Sequence, residues 1–325
     1  MKALVLEDVK QYSVKEIEVP RPRSGEVLIR MEVAPINPSD IVSLKGQYGI
    51  KKAFPCTQGL EGAGVVVESG GGLLAWSLVG KRVACARGSG TYAQYLVTKA
   101  TNCVKLPDHI PFELGACFFA NPMTVMMFMD TLRQKKHRAA IQTGAASAVG
   151  KMMVRHCLHE GIPLINIVRR EEQVASLREM GAEHVLNSSE ETFAGQLKEL
   201  AHSLNATAAF DCVSGDMTGR LINAMPAKST VYVYGALEGK PAGAIDPSAL
   251  IFRGCSIEGL WLSPYLQNIG VYGLWRMAGR VTTFLPTTLR TEVAREFPLE
   301  QFEEALEYYK ANMSAGKVLI RMNTS

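Results

Sequence analysis

From residue 1 to about 120, apolar and polar positions alternate in short runs, as in VLIRMEVA and GAGVVVES. A period of two sends successive side chains to opposite faces of a pleated strand, so the pattern predicts a β-rich first segment with half-buried strands. Pro20, Pro22, Pro35, Pro38, Pro55 and the Gly70-Gly71-Gly72 turn punctuate it. From Ala139 the pattern changes. Short apolar strands (AAIQT, LINIV, HVLN, TAAFDCV, STVYVYG) alternate with helix-length amphipathic stretches over 147–160, 171–180, 190–204 and 215–224. Strands that are apolar throughout are covered on both faces, and βαβ alternation means a parallel sheet. Beyond CSIEG, near residue 258, come a long helical stretch and a helix whose Leu299, Phe302, Ala305, Leu306 and Tyr309 share one face. The final strand, KVLIRM, is expected to return to the first domain. The organisation read from the pattern is therefore a first segment over 1–120, a cofactor domain over 121–258 and a return segment over 259–325.

The length of 325 residues fits about two hydrophobic cores. With 35 basic and 31 acidic residues intermixed, the net charge of +4 forms no basic stripe, so nucleic acid is not an expected partner. Arg133 to Arg138 (RQKKHR) reads as a solvated helix end. The seven cysteines are odd in number and widely spaced, as reduced, buried thiols would be. No run approaches the ~18 apolar residues that cross a bilayer. The start MKALVLEDVK reads as a charged strand rather than a signal or transit peptide, so a cytoplasmic setting is expected.

Candidate chemistry sits where AAIQT meets Gly144-Ala145-Ala146-Ser147-Ala148-Val149-Gly150 and runs directly into KMMVRHCLHE. A strand, a turn of small residues and a helix start make a pyrophosphate site, because backbone N–H groups become accessible at the positive end of a helix. Gly144, Ala145, Ser147, Ala148, Val149 and Gly150 are the expected cofactor contacts. The spacing is GxxSxxG rather than GxGxxG, and a close helix-strand contact would look similar. The next strand, LINIV, ends at Arg169-Arg170, where NAD-specific enzymes place an acidic residue for the ribose. Two guanidinium groups there suit a 2′-phosphate, so the expected cofactor is NADPH. Cys212 and Val213 end the fourth strand and Tyr234-Gly235 the fifth, on the carboxyl edge where open sheets bind ligands.

Together with SGEVLIR, INPSD, PCTQGLEGAGVVVESG, VGKRVA, NPMT, FDCVSG, LIFRGCSIEGLWLS and AGKVLIR, in that order, these motifs resemble the medium-chain dehydrogenase/reductase superfamily across nearly the whole chain. The resemblance is to its zinc-independent branch of quinone oxidoreductases and 2-enoyl thioester reductases. It implies an α/β fold, with a GroES-like β-rich catalytic domain and a doubly wound parallel-sheet (Rossmann) cofactor domain. Zinc enzymes of the superfamily place a cysteine and a histidine where this chain has Asn37 and Leu60, which cannot replace those ligands, so no metal is expected.

Without a Lewis acid, hydride can still reach a carbon made electrophilic by conjugation, as in enones, enoyl thioesters and quinones. The resemblance implies that Tyr48 donates the proton or orients the carbonyl; on position alone it is a loop aromatic. It likewise implies that Asn37 and Thr124 line the nicotinamide pocket, though Asn37 could equally cap its turn. Trp261 matches a tryptophan bordering the acyl pocket in enoyl reductases, or is simply core. An NADPH-dependent enoyl or enone reductase leads, quinone reduction is the nearest rival, and a non-catalytic NADPH-binding protein is the reading from another class. A homodimer through CSIEG is implied by resemblance.

Overall fold

A computed structural model describes residues 1–47, 49, 53–86 and 88–323, and Tyr48 lies outside them. The chain divides into two compact units, one of residues 1–122 with 281–325 and one of residues 123–280.

In the first unit the strand Glu26–Pro35 pairs antiparallel with Glu61–Ser69, with Tyr95–Lys99 and with the C-terminal strand Lys317–Arg321. The last of these carries Val293–Pro298 on its other side, in parallel. A smaller sheet joins Gln11–Glu16, Lys2–Asp8 and Cys56–Thr57. The core gathers Ile29, Met31, Ile36 and Tyr92 with Phe302, Leu306, Tyr309 and Ile320 from the returning chain. The 3.6-residue period read over 299–309 is what puts Phe302, Ala305, Leu306 and Tyr309 on the buried face of the helix Phe302–Ala311. Tyr92 meets Phe302 with ring centroids 5.0 Å apart.

The second unit is built on six strands in the order His184–Asn187, Leu164–Val168, Ala140–Thr143, Ala208–Asp211, Thr230–Val233, Ser256–Gly259. Every neighbouring pair is parallel. This is the doubly wound arrangement, in which strand order reverses beside the first strand. Leu164–Val168 is buried at all five positions, as a strand covered on both faces must be. Ser256–Gly259 occupies one edge of the sheet.

The second unit keeps residues 259–280, which the sequence pattern groups with the return segment. The physical reason lies in side chains that tie these helices to the helix Asn121–Lys135. Asp130 accepts from Arg280 at 2.5 Å and from Tyr265 at 3.3 Å. Met277 and Ala278 are buried beside Arg280.

Candidate functional site

The turn after Ala140–Thr143 begins with Gly144 at φ 60°, a conformation suited to glycine. A Cβ there would lie 2.6 Å from Cys212 Sγ, and one at Gly150 would lie 2.3 Å from the carbonyl oxygen of Ala145. Both glycines are therefore demanded by close approach, one to the next strand and one to the turn itself. Ser147 is the N-cap of the helix Ala148–Glu160, and its Oγ accepts from Gly150 N at 3.1 Å. Ala145 N donates to Ile167 O at 3.2 Å and Ser147 N to Gly144 O at 2.9 Å. Among the described residues, the N–H groups of Ala146, Ala148 and Val149 have no acceptor. These three are the donors left at the positive end of the helix, where an anion fits. Ala146 is thus a cradle residue that the sequence reading leaves out, while Ala145 and Gly150 shape the cradle and commit their own N–H groups, Ala145 to the strand Leu164–Val168 and Gly150 to Ser147.

The carboxyl ends of neighbouring strands are locked by one carboxyl group. Asp211, fully buried, accepts from Thr143 Oγ1 at 2.8 Å, Val213 N at 2.9 Å, Ser214 N at 3.2 Å and Thr218 Oγ1 at 2.7 Å. Those bonds hold the bend that carries Cys212 and Val213 and leads through Gly215, at φ 58°, into the helix Asp216–Ala224. Cys212 Sγ lies 3.4 Å from Thr143 O, and Tyr234 hydrogen-bonds to the same thiol. Desolvation first, and then the Cys212 neighbour, hold the Tyr234 phenol well above its ordinary value, so it stays protonated. A Cβ at Gly235 would lie 2.9 Å from Cys212 O, which makes this another close approach. Gly144, Cys212, Tyr234 and Gly235 are therefore brought together at one edge of the parallel sheet.

Arg169 and Arg170 are both exposed after Leu164–Val168 but are not equivalent. Arg170 Nε pairs with Glu172 Oε1 at 2.9 Å. No salt bridge engages Arg169 among the described residues; its backbone N–H donates to Gln173 Oε1 at 3.2 Å and its carbonyl accepts from Ser189 Oγ at 2.9 Å.

In the first unit, Asn37 precedes the helix Pro38–Leu44 and is 2% exposed. Its Nδ2 donates to Glu61 Oε1 at 3.0 Å, its Oδ1 accepts from Lys317 Nζ, and its backbone N–H donates to Asp40 Oδ2 at 2.9 Å. Lys317 Nζ also lies 3.4 Å from Ile36 O. The second Glu61 oxygen accepts from Phe119 N at 2.8 Å and Ala120 N at 2.9 Å. Burial pushes the Glu61 carboxyl above its ordinary value, opposed by Lys317 and by the N–H donors. Burial also raises Asp40, to about 7, against the Asn37 N–H. Lys317, Glu61 and Asp40 are absent from the sequence-based candidates. For Glu61 and Lys317 the sequence signal is a charge at the first position of a largely apolar strand, in EGAGVVV and KVLIR, and Asp40 lies on the helix Pro38–Leu44.

Residues 23–108 match the alcohol dehydrogenase GroES-like domain family and residues 148–270 the zinc-binding dehydrogenase family. The chain is 30% identical over 313 residues to the mitochondrial enoyl-[acyl-carrier-protein] reductase of Xenopus tropicalis, covering 93% of this chain and 88% of that relative. The human protein of the same name is 26% identical over 320 residues, covering 96% and 85%. A solved structure of a Mesorhizobium loti protein assigned as an NADPH:quinone reductase superposes with a TM-score of 0.89 at 32% identity, over 99% of this chain and 98% of that one. The chain belongs to the zinc-independent, quinone and enoyl reductase-like branch of the medium-chain dehydrogenase/reductase superfamily.

As a member of that superfamily it combines the GroES-like unit and the Rossmann-type sheet described above. Among the described residues no three His, Cys, Asp or Glu side chains are grouped to hold a metal ion. The two remaining candidates sit in the second unit. Thr124 lies on the first turn of Asn121–Lys135, and Trp261 is 43% exposed as the N-cap of Leu262–Asn268, so it is not a core residue. All seven cysteines are free, five buried and two half-buried. No helix of the described residues is long and apolar enough to cross a membrane.

Proposed function

We propose that this chain is an NADPH-dependent reductase that delivers hydride, without metal, to the conjugated carbon of an activated double bond in a 2-enoyl thioester or enone. The observation that carries the reading is the cradle of uncommitted Ala146, Ala148 and Val149 N–H groups at a helix start. The exposed Arg169 at the end of the next strand supplies the charge that a 2′-phosphate requires. NADPH, when bound, supplies the hydride. The Ala146–Val149 segment holds the pyrophosphate, Arg169 the 2′-phosphate, and Thr124, Cys212, Val213, Tyr234 and Gly235 line the dinucleotide groove. Tyr48 is the proposed donor of a hydrogen bond to a developing enolate. Asn37 offers an amide to the substrate carbonyl, and Trp261 borders the acyl chain.

The relatives named as enoyl-[acyl-carrier-protein] reductases support the thioester substrate. Quinone reduction is the second reading, favoured by the Mesorhizobium loti relative. The edge strand Ser256–Gly259 is the proposed homodimer contact, and a cytoplasmic setting is part of the same proposal. The test follows NADPH oxidation with crotonyl-CoA, a simple enone and a benzoquinone, for wild type and Tyr48→Phe. Turnover of crotonyl-CoA, reduced in the variant, is expected. Selective turnover of the quinone would move the assignment to the second reading. Binding of NADPH without oxidation of it by any substrate would favour a non-catalytic protein.

A further inference from the structure

The side chain of Asn37 is held at both ends by groups of opposite electrical character. Lys317 Nζ donates to its Oδ1 while Glu61 Oε1 accepts from its Nδ2 at 3.0 Å, so a buried amide bridges a buried ammonium and a buried carboxyl. We propose that Lys317 and Glu61 are positioning residues that fix the Asn37 amide in one of its two orientations and reserve its second N–H for the substrate carbonyl, an inference that rests on the reductase reading above.

The orientation follows from donor and acceptor chemistry. A flipped amide would set its NH2 group against the ammonium and its carbonyl oxygen against the carboxyl, so that Lys317 loses this acceptor and Glu61 Oε1 loses its donor in a dry interior. Neither neighbour is free to follow such a flip. The other oxygen of Glu61 is taken by the Phe119 and Ala120 N–H groups, and Lys317 also lies beside the Ile36 carbonyl. The backbone of Asn37 is pinned by Asp40 and by the helix that starts after it. Of the two Nδ2 hydrogens one is spent on Glu61, and the other has no acceptor among the described residues. An ammonium on the carbonyl end draws electron density through the amide and makes that second N–H a stronger donor. An N–H so placed stabilises charge that develops on a carbonyl oxygen and involves no proton transfer of its own.

A network that merely knits the unit together would lower stability when cut but would not couple to Asn37 in turnover. The experiment therefore combines two readouts on the full chain. Nitrogen-proton correlation spectra give the Asn37 side-chain signals, assigned by their loss in Asn37→Asp. In wild type we expect a shifted, slowly exchanging pair; in Lys317→Met the pair should move towards the values of a free amide. Turnover of crotonyl-CoA should fall at least about tenfold in kcat for Lys317→Met, recover substantially in Lys317→Arg, and leave NADPH binding within about twofold. In an Asn37→Ala background, Lys317→Met should change kcat by less than about twofold. If Lys317→Met does not fold, Lys317→Met with Glu61→Gln removes both charges together and reports the same signals. Asn37 signals unmoved by loss of Lys317, or equal kcat losses in both backgrounds, would overturn the proposal. Failure of wild type on every substrate would instead remove the reductase reading, and the spectra would still decide the orientation of the amide.

Discussion

Thr143 and Asp211 end two adjacent parallel strands and are joined by a 2.8 Å hydrogen bond from Thr143 Oγ1 to Asp211 Oδ1, with both side chains fully buried. The same threonine oxygen accepts from Cys212 N at 2.9 Å, so a single hydroxyl ties the phosphate turn to the neighbouring bend.

Asp211 gathers four donors, and removing a buried acceptor leaves each of them unsatisfied. Asp211→Ala should destabilise the protein by about 3–5 kcal/mol. Thr143→Val, which removes one donor and one acceptor at nearly constant volume, should lower stability by about 1–2 kcal/mol. Urea unfolding measures both, and NADPH titration should show weaker binding in each because the groove edge loosens. A Thr143→Val protein as stable as wild type would mean that the hydroxyl does not link the two strands.

Gly144 combines a positive φ with a close approach to Cys212, and the two effects can be separated. Gly144→Ala should destabilise by about 2–4 kcal/mol, the sum of left-handed strain and overpacking. With Cys212→Ala the 2.6 Å approach to Sγ disappears while the φ of 60° remains. The double variant should therefore recover part of the loss, read as a coupling in a double-mutant cycle by urea unfolding. Strictly additive effects would place the whole penalty in the backbone.

The second unit was legible because its physics is local. LINIV is apolar at nearly every position since helices cover both faces, and the helix periods between strands announce the crossovers. The turn at 144–150 was readable for the same reason, being one continuous stretch. What escaped was assembled across sequence distance. Lys317 meets Asn37 only because Lys317–Arg321 pairs with Glu26–Pro35, and no period in KVLIR reports that partner. Ser147 is read as a cofactor contact from its place in a turn of small residues, and that its oxygen also caps the helix Ala148–Glu160 is a local bond that composition does not reveal. Cys85 and Cys103, far apart in sequence, face each other across two antiparallel strands through register alone.

The two arginines after LINIV should contribute unequally. Arg170 is engaged by Glu172, whereas Arg169 carries the charge without a salt bridge among the described residues. Arg169→Ala should weaken NADPH binding by about 1.4–2.8 kcal/mol, roughly 10- to 100-fold, and leave NADH binding almost unchanged. Arg170→Ala should have the smaller effect. Fluorescence titration with both coenzymes checks this. Equal losses for NADPH and NADH in Arg169→Ala would remove the 2′-phosphate from that side chain.

Asp40 gives a pH dependence whose sign is fixed by its environment. Burial raises its carboxyl from an ordinary 3.8 to about 7 in the folded protein, the beside-lying Glu61 adding to the rise and the Asn37 N–H and Lys317 opposing it. A raised folded value means that the native state binds this proton more tightly than the unfolded chain. The stabilisation it brings is complete below about pH 4, declines as pH rises, and is gone above about pH 7. Asp40→Asn retains an oxygen to accept from Asn37 N and cannot ionise, so it should lose this decline. Thermal midpoints of both proteins between pH 4.5 and 8 make the comparison, and groups common to the two cancel in the difference. The variant should gain on wild type as pH rises to 7 and run parallel to it above. Parallel curves across the whole range would show that Asp40 keeps its ordinary carboxyl chemistry despite its burial.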